Sequence, residues 1–437
     1  MKPNRTITPE IHPLLPEHIS ADNLPLPYSR LKPSTLVMPN GTILTLVEDF
    51  QSELVRLEVI TVAGIGHQTE PLQAQMCAQL LKEGARNLRG EEISETFDYH
   101  GAYISSGALP DYTMINMVVL SNHFSKVFPA FFTMITEPEF PQKSFNRILE
   151  ERRQEFIINR EKHPWEARRQ MMNKLFGNDH PYGGLIVEDD FSKLKVDALK
   201  KFHTLHYLNQ GLRVVLTGNY DSHIINSIVM TLGSMNLIRY PAPSITEKYL
   251  TNNFSGTFHL HHPESIQTAL RYGCKTITMN HPDFIPLQIA VNLLGGYFGS
   301  RLNQNLREDK GYTYGIGAGI IPMKNSSVFT IGAEIDSSKT DEAIAAVENE
   351  LVRLANNPPD DEELQQTLTY LAGSFLRSID GAFALADRIK TASDFNLDYR
   401  FYVDYLNALK TITPETITLM AKKYLDPKQM VVVIVGK

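Results

Sequence analysis

The sequence predicts an α+β protein built from two related halves, and three observations carry that prediction. First, a helix, a Tyr-Leu exit and a buried strand occur twice. Leu194-Lys195-Val196, Phe202, Tyr207-Leu208, Val214-Val215 and Gly218 are matched by Leu409-Lys410-Thr411-Ile412, Met420, Tyr424-Leu425, Val431–Val433 and Gly436. Tyr424 follows Tyr207 by 217 positions and Gly436 follows Gly218 by 218, the period of a duplicated domain and not of a short-repeat solenoid. Second, each half mixes hairpin-like strands with long helices, which argues against a doubly wound parallel sheet. Third, 437 residues with 42% hydrophobic and 21% charged supply core material for two or more domains.

The elements follow in order. Residues 1–30 are proline-rich with little periodicity and read as an extended arm. Thr35–Met38, Asn40-Gly41 and Thr42–Val47 read as strand, tight turn and strand, and Leu54–Val62 as a further strand. A helix is expected to start near Thr69 as its cap, with Pro71 in the first turn and Gly84 as the stop. The composition of residues 236–255 marks a linker between a first half, 1–235, and a second half, 256–437.

Composition excludes several classes. The net charge of -7 and the lack of a basic stripe give no footprint for nucleic acid. Only Cys77 and Cys274 occur, far apart, so no disulfide framework is expected and a reducing compartment fits. With no apolar leader and no run of about 20 apolar residues, neither a signal peptide nor a membrane span is read, and a cytoplasmic location is expected. No G-x-S-x-G elbow and no phosphate-binding G-x-x-x-x-G-K-[ST] loop is present.

The stretch Ser300 to Gly315 is the most informative. Asp283 to Leu294 has helical apolar spacing; Gly295-Gly296 interrupts it, and Arg301 to Lys310 resumes a short polar helix that Gly311 ends. Tyr312, Tyr314, Ile316, Ala318 and Ile320 then alternate with Thr313, Gly315, Gly317 and Gly319. A reversal at Gly311 can bring the Arg307 guanidinium beside the Tyr314 hydroxyl, a fork suited to a peptide carbonyl or carboxylate. The glycine face would let another backbone approach. From spacing alone, Arg307 capping a carbonyl or pairing with Glu308, with Tyr314 in the core, is the favoured reading. The Gly315-x-Gly317-x-Gly319 pattern lies within a strand and leads to another, Ser326–Ile335, so it is not a dinucleotide loop.

This stretch resembles the C-terminal substrate-binding motif of the M16 zinc peptidases, the pitrilysin/insulinase family, and the chain as a whole is most similar to the bacterial M16B branch. In that family an Arg ends a helix and a Tyr seven residues later begins a strand, as Arg307 and Tyr314 do here. The likeness extends upstream through Gln267–Gly273 and Leu293-Leu294-Gly295-Gly296. It implies two homologous halves, each a curved, mostly antiparallel sheet with helices on one side, facing each other across a cavity. It also reverses the reading of Arg307 and Tyr314, which become substrate-binding residues.

The family's zinc motif, H-x-x-E-H, places two His one turn apart on a helix with a Glu that activates water. Counting back from Gly84, the His positions fall on Gln75 and Gln79 and the Glu position on Ala78. Glu155 is the nearest match to a third zinc ligand, and without the His pair it reads as a charge on an amphipathic helix. None of the 14 His compensates. His67-Gln68-Thr69-Glu70 begins like the motif but ends on Pro71; His203 and His206 sit three apart without an acidic partner; His259-Leu260-His261-His262 lies in or beside a strand. His180-Pro181-Tyr182-Gly183 resembles a family segment of structural role, and Cys77 reads as a buried inert thiol.

No catalytic residue and no metal are therefore expected in this chain. The resemblance implies a peptide-binding subunit that is inactive alone and offers Arg307 and Tyr314 to substrate cleaved at the zinc of an H-x-x-E-H partner. Pairing with a second copy of itself is the other form of assembly. Two alternatives stand beside this: an autonomous metallopeptidase with an atypical metal site, and a structural or assembly protein of the same fold.

Overall fold

A computed structural model describes residues 15–22, 24–25, 27–238 and 254–437. The first half contributes strands β1 (Ser34–Val37), β2 (Ile43–Glu48), β3 (Leu54–Thr61), the two-residue pair β4 (Gly84–Ala85) and β5 (Leu88–Arg89), β6 (Tyr103–Ala108), β7 (Thr113–Leu120) and β8 (Arg213–Gly218). Its helices are α1 (Gln73–Leu80), α2 (Gly90–Tyr99), α3 (Phe124–Thr136), α4 (Gln142–Arg160), α5 (His163–Phe176), α6 (Asp190–Lys193), α7 (Val196–His206) and α8 (Ser222–Leu232). The second half contributes β9 (Gly256–His261), β10 (Gln267–Thr276), β11 (Thr313–Met323), β12 (Ser326–Asp336) and β13 (Val431–Gly436). Its helices are α9 (Phe284–Val291), α10 (Thr340–Asn356), α11 (Asp361–Arg377), α12 (Ala382–Asp394), α13 (Arg400–Thr411) and α14 (Pro414–Tyr424).

The duplication is visible in the strand order. The first sheet runs β1-β2-β8-β3-β7-β6 and the second β11-β12-β10-β13-β9. Superposing the two chain orders matches β2 with β9, β8 with β13, β3 with β10, β7 with β12 and β6 with β11. In both, the closing strand pairs parallel with an early strand of its half, β8 with β2 and β13 with β9, and the other pairings between strands of these two sheets are antiparallel. The repeated valine-rich run before Gly218 and Gly436 is thus a strand flanked by neighbours on both edges.

Helices of the same half cover one face of each sheet. The other face meets a helix from the opposite half. Met171 and Leu175 of α5 pack on Ala269, Val431, Val433 and Val435 of the second sheet. Against the first sheet, α12 brings Asp387 and Lys390 to Arg56 and Glu58, and its last residue, Asp394, to Arg213. Coverage on both faces explains why β13 is buried throughout its length and β3 nearly so.

Two expectations near the N-terminus change. Leu15, Ile19 and Tyr28, in the stretch read as an extended arm, and Leu31 just after it are buried in the core of the second half. Tyr399 Oη donates to Ala21 O and Asn407 Nδ2 to Ile19 O, tying the arm to α13 and the turn before it. The first-half helix starts at Gln73, not at Thr69. Its N-cap is Leu72 in the left-handed region at φ 69°, and the Gln73 side chain turns back to accept from Thr69 N at 2.9 Å. The expected linker falls largely on residues 239–253, outside the described residues. No helix among the described residues is long and apolar enough to cross a membrane.

Candidate functional site

The Arg307 site is built on a helix whose turns are widened. α9 passes into a π-helical segment, Asn292–Gly296, and after the loop Tyr297–Ser300 a second one runs Asn303–Asp309. Such wide turns leave backbone groups to be satisfied locally and recur at functional sites. Here the loop is held by side chains of its own stretch: Asn303 Nδ2 donates to Tyr297 O at 3.1 Å and to Ser300 Oγ at 3.2 Å. Gly295 lets the first segment lie on β11, since a Cβ there would stand 2.6 Å from that of Ala318.

The two arginines of the stretch have separate work. Arg301 is buried and makes a two-pronged pair with Glu363, Nε to Oε1 at 2.6 Å and Nη2 to Oε2 at 2.8 Å. It fixes the loop to α11. Arg307 makes a long contact with Glu308, Nε to Oε1 at 3.7 Å, and its side chain is 29% exposed. Its guanidinium carbon lies 4.3 Å from the centre of the Phe298 ring and 5.6 Å from that of Tyr314. The reversal expected at Gly311 is present, at φ 64°, and brings Arg307 against the Tyr314 ring. Stacking of this kind holds a guanidinium by its flat faces and leaves its N–H edge open to an acceptor.

Tyr314 is 92% exposed, so the core position that spacing favoured is wrong. The expected strict alternation also fails here. Thr313 pairs with Ile335 and the next pair is Ile316 with Ala333, so β11 carries one extra residue. This bulge turns Tyr314 to solvent while Ile316 stays buried. Thr313 Oγ1 stitches it, donating to Glu334 O at 2.6 Å and accepting from Gly315 N at 3.1 Å. Beyond it, β11 is the last strand of its sheet, and among the described residues none pairs with its outer edge. Phe298 and Thr313 escaped the sequence reading. Only their nearness to Arg307 and Tyr314 in the chain could have flagged them.

Gln75, Ala78 and Gln79, the positions that the resemblance assigns to the zinc motif, lie on α1. Ala78 is fully buried, its carbonyl accepting from Ser106 Oγ at 2.7 Å. Gln79 accepts from Arg152 Nε at 2.7 Å, and Arg152 Nη1 donates to Glu155 Oε2 at 2.8 Å. Gln75, Ala78 and Gln79 supply no imidazole and no carboxylate, so these residues do not fit a catalytic zinc ion. Among the described residues no group of three or more His, Cys, Asp or Glu is placed to hold a metal.

Most of the other singled-out side chains are buried in the fold. His203 is buried with Nε2 2.7 Å from Ile135 O, and burial takes its pKa down to about 4. His67 and His206 face each other with ring centres 5.4 Å apart, and burial lowers both, His206 to about 4. His180 Nδ1 accepts from Tyr182 N at 3.0 Å, and the Tyr182 hydroxyl donates to Asp111. His259 and His261 lie on the edge strand β9. Cys77 and Cys274 are buried, and burial pushes both thiols up, Cys274 to about 12, which leaves them protonated and inert.

Comparison with known proteins agrees with this geometry. Residues 193–371 match the family described as "Peptidase M16 inactive domain". The uncharacterized zinc protease YmxG of Bacillus subtilis is 21% identical over 88% of this chain and 93% of its own length. An uncharacterized zinc protease of Rickettsia bellii is 24% identical over 71% and 75% respectively. Among solved structures, the peptidase M16 inactive domain from Pseudomonas fluorescens superposes with a TM-score of 0.83 at 24% identity, covering 93% of this chain and 98% of that one. A protease from Helicobacter pylori gives 0.82 at 18% identity, covering 93% and 99%. The chain is thus similar to the M16 inactive domain over residues 193–371 and to relatives named zinc proteases over most of its length, and it carries no H-x-x-E-H motif.

Proposed function

We propose that this chain is the non-catalytic, peptide-binding subunit of a heterodimeric M16 zinc peptidase. The observation that carries the reading is the pairing of half-buried Arg307 with exposed Tyr314 beside the open edge of β11, in a chain with Gln75, Ala78 and Gln79 where the resemblance places the zinc motif. An extended substrate adds to that edge through backbone hydrogen bonds, and the bare glycines 315, 317 and 319 let it come close. Arg307 donates to a substrate carbonyl or carboxylate. The Tyr314 hydroxyl donates to the oxyanion that forms when water attacks the scissile carbonyl. The zinc and the base that deliver that water belong to a partner with an intact H-x-x-E-H helix.

The test is reconstitution. This chain is mixed with a candidate H-x-x-E-H subunit and cleavage of a fluorogenic peptide is followed. Activity should appear only in the mixture and fall by about 10²-fold or more with Tyr314→Phe if the hydroxyl serves the oxyanion. Activity untouched by both Arg307→Ala and Tyr314→Phe would refute the assigned roles. Stoichiometric zinc in the purified chain alone would favour an autonomous enzyme instead.

A further inference from the structure

The residues Gln79 and Glu155 belong to different helices, α1 and α4, and one side chain joins them. Arg152 donates from Nε to Gln79 and from Nη1 to Glu155, at 2.7 and 2.8 Å. Pairs such as Arg152–Glu155 are ordinary along α4, where Arg147–Glu151 and Arg153–Glu150 repeat the pattern. Arg147 and Arg153 also reach off the helix, to Glu83 and Glu188, but of the three Arg152 is the one bonded to α1, at Gln79. Gln75 and Gln79 lie one turn apart on α1. Two imidazoles at such positions, completed by a carboxylate from a facing helix, form a common zinc set. Here the carboxylate remains, and a guanidinium spans it and the second amide.

From this we infer that Arg152 takes the cation's part at this place. Its fixed positive charge neutralises Glu155, as a metal would. Its two donors fit the amide oxygen of Gln79 and the carboxylate oxygen of Glu155, both of them acceptors. Arg cannot shed its proton to make room for a metal. The site is therefore closed to zinc by an occupant as well as by missing ligands. A site that only lacked ligands would take metal once they were supplied. A site held by Arg152 would not.

The distinction is open to direct test in the full chain. One variant carries Gln75→His and Gln79→His, and a second adds Arg152→Ala. Each is equilibrated with zinc, passed over a desalting column and analysed for metal, and the cobalt form is inspected for the absorption of a tetrahedral site. The double variant should stay substoichiometric. The triple variant should hold one zinc per chain and bind it roughly 10- to 100-fold more tightly, the size of effect that outer-shell groups have on metal sites. Equal zinc affinity in the two variants would overturn the inference. So would a triple variant that stays metal-free while its circular dichroism and melting match the parent. If Arg152→Ala melts early, Arg152→Gln, uncharged but close to arginine in reach, takes its place.

Discussion

The guanidinium of Arg307 lies against the ring of Phe298, 4.3 Å from its centre, closer than it lies to Tyr314. Phe298 is itself 61% exposed, so the contact exists for the arginine more than for the core. A cation stacked at an exposed site gains about 0.5–1 kcal/mol. Phe298→Ala should therefore raise KM of the reconstituted peptidase about two- to fivefold with kcat little changed, while Phe298→Tyr should behave as the parent. Unchanged KM in the alanine variant would mean that the ring does not position Arg307.

The contact of α12 with the first sheet includes a charge cluster beside buried Val47, Ile60 and Val215. Glu58, 1% exposed, meets Lys390 Nζ at 2.7 Å and Arg56 Nη2 at 3.1 Å, and both cations also reach Asp387 at 3.0 Å. Removing one member of a buried set leaves a charge without its partner and costs about 3–5 kcal/mol. Arg56→Ala should lose stability on that scale in urea denaturation. Asp387→Asn, at the half-exposed end, should lose about 1 kcal/mol or less. Similar losses for the two would contradict the view that burial at Glu58 dominates.

Acid sensitivity follows from the buried histidines. His180, His203 and His206 each have pKa values lowered to about 4 by burial, against about 6.5 in the unfolded chain. Between these values the unfolded state binds more protons than the folded one, so stability rises with pH across the window and falls as pH drops from about 6.5 to about 4. For His203 the loss is roughly 3 kcal/mol over that window. Melting temperature measured from pH 7 to pH 4 should fall, and His203→Gln should flatten the profile even if it lowers stability at neutral pH.

Much of the fold was legible because period and punctuation are local. The repeated Tyr-Leu and valine runs, the Asn40-Gly41 turn and the reversal at Gly311 each express a short-range rule, and the structure contains all of them. What was not legible depends on partners distant in the chain. Leu15 and Ile19 show no period because they pack singly into grooves of the second half. Thr69 is a plausible cap, but Gln73 lies between it and Ala198 O, accepting from the one and donating to the other at 2.7 Å, and the helix starts later. The bulge at Thr313 reversed the side of Tyr314, because one extra residue flips every side chain after it. Among the arginines, only the tertiary partner Glu363 separates the structural Arg301 from Arg307.

The docked N-terminal segment gives a stability prediction. Leu31 is fully buried among second-half residues although it precedes the first-half sheet. Leu31→Ala should cost about 2–5 kcal/mol, as truncations of buried leucine do. Proteolysis should then cut the N-terminal segment faster in the variant than in the parent. A loss below about 0.5 kcal/mol, the scale of ordinary surface changes, would show that the segment contributes little to the fold.

Thr313 offers the sharpest separation of structure from chemistry at the Arg307 site. Its hydroxyl is the stitch of the bulge, and valine preserves its shape without the two hydrogen bonds. Thr313→Val leaves Glu334 O and Gly315 N short of a partner, a loss of about 1–3 kcal/mol where the groups are buried. The expected outcome is a modest drop in melting temperature together with loss of reconstituted activity, because β11 can recover regular pairing by turning Tyr314 inward. Thr313→Ser, which keeps the hydroxyl, should retain most of the activity. If Thr313→Val lowers stability but leaves activity and KM intact, the bulge is not what presents Tyr314. If both variants match the parent in melting and activity, Thr313 is a bystander to the site.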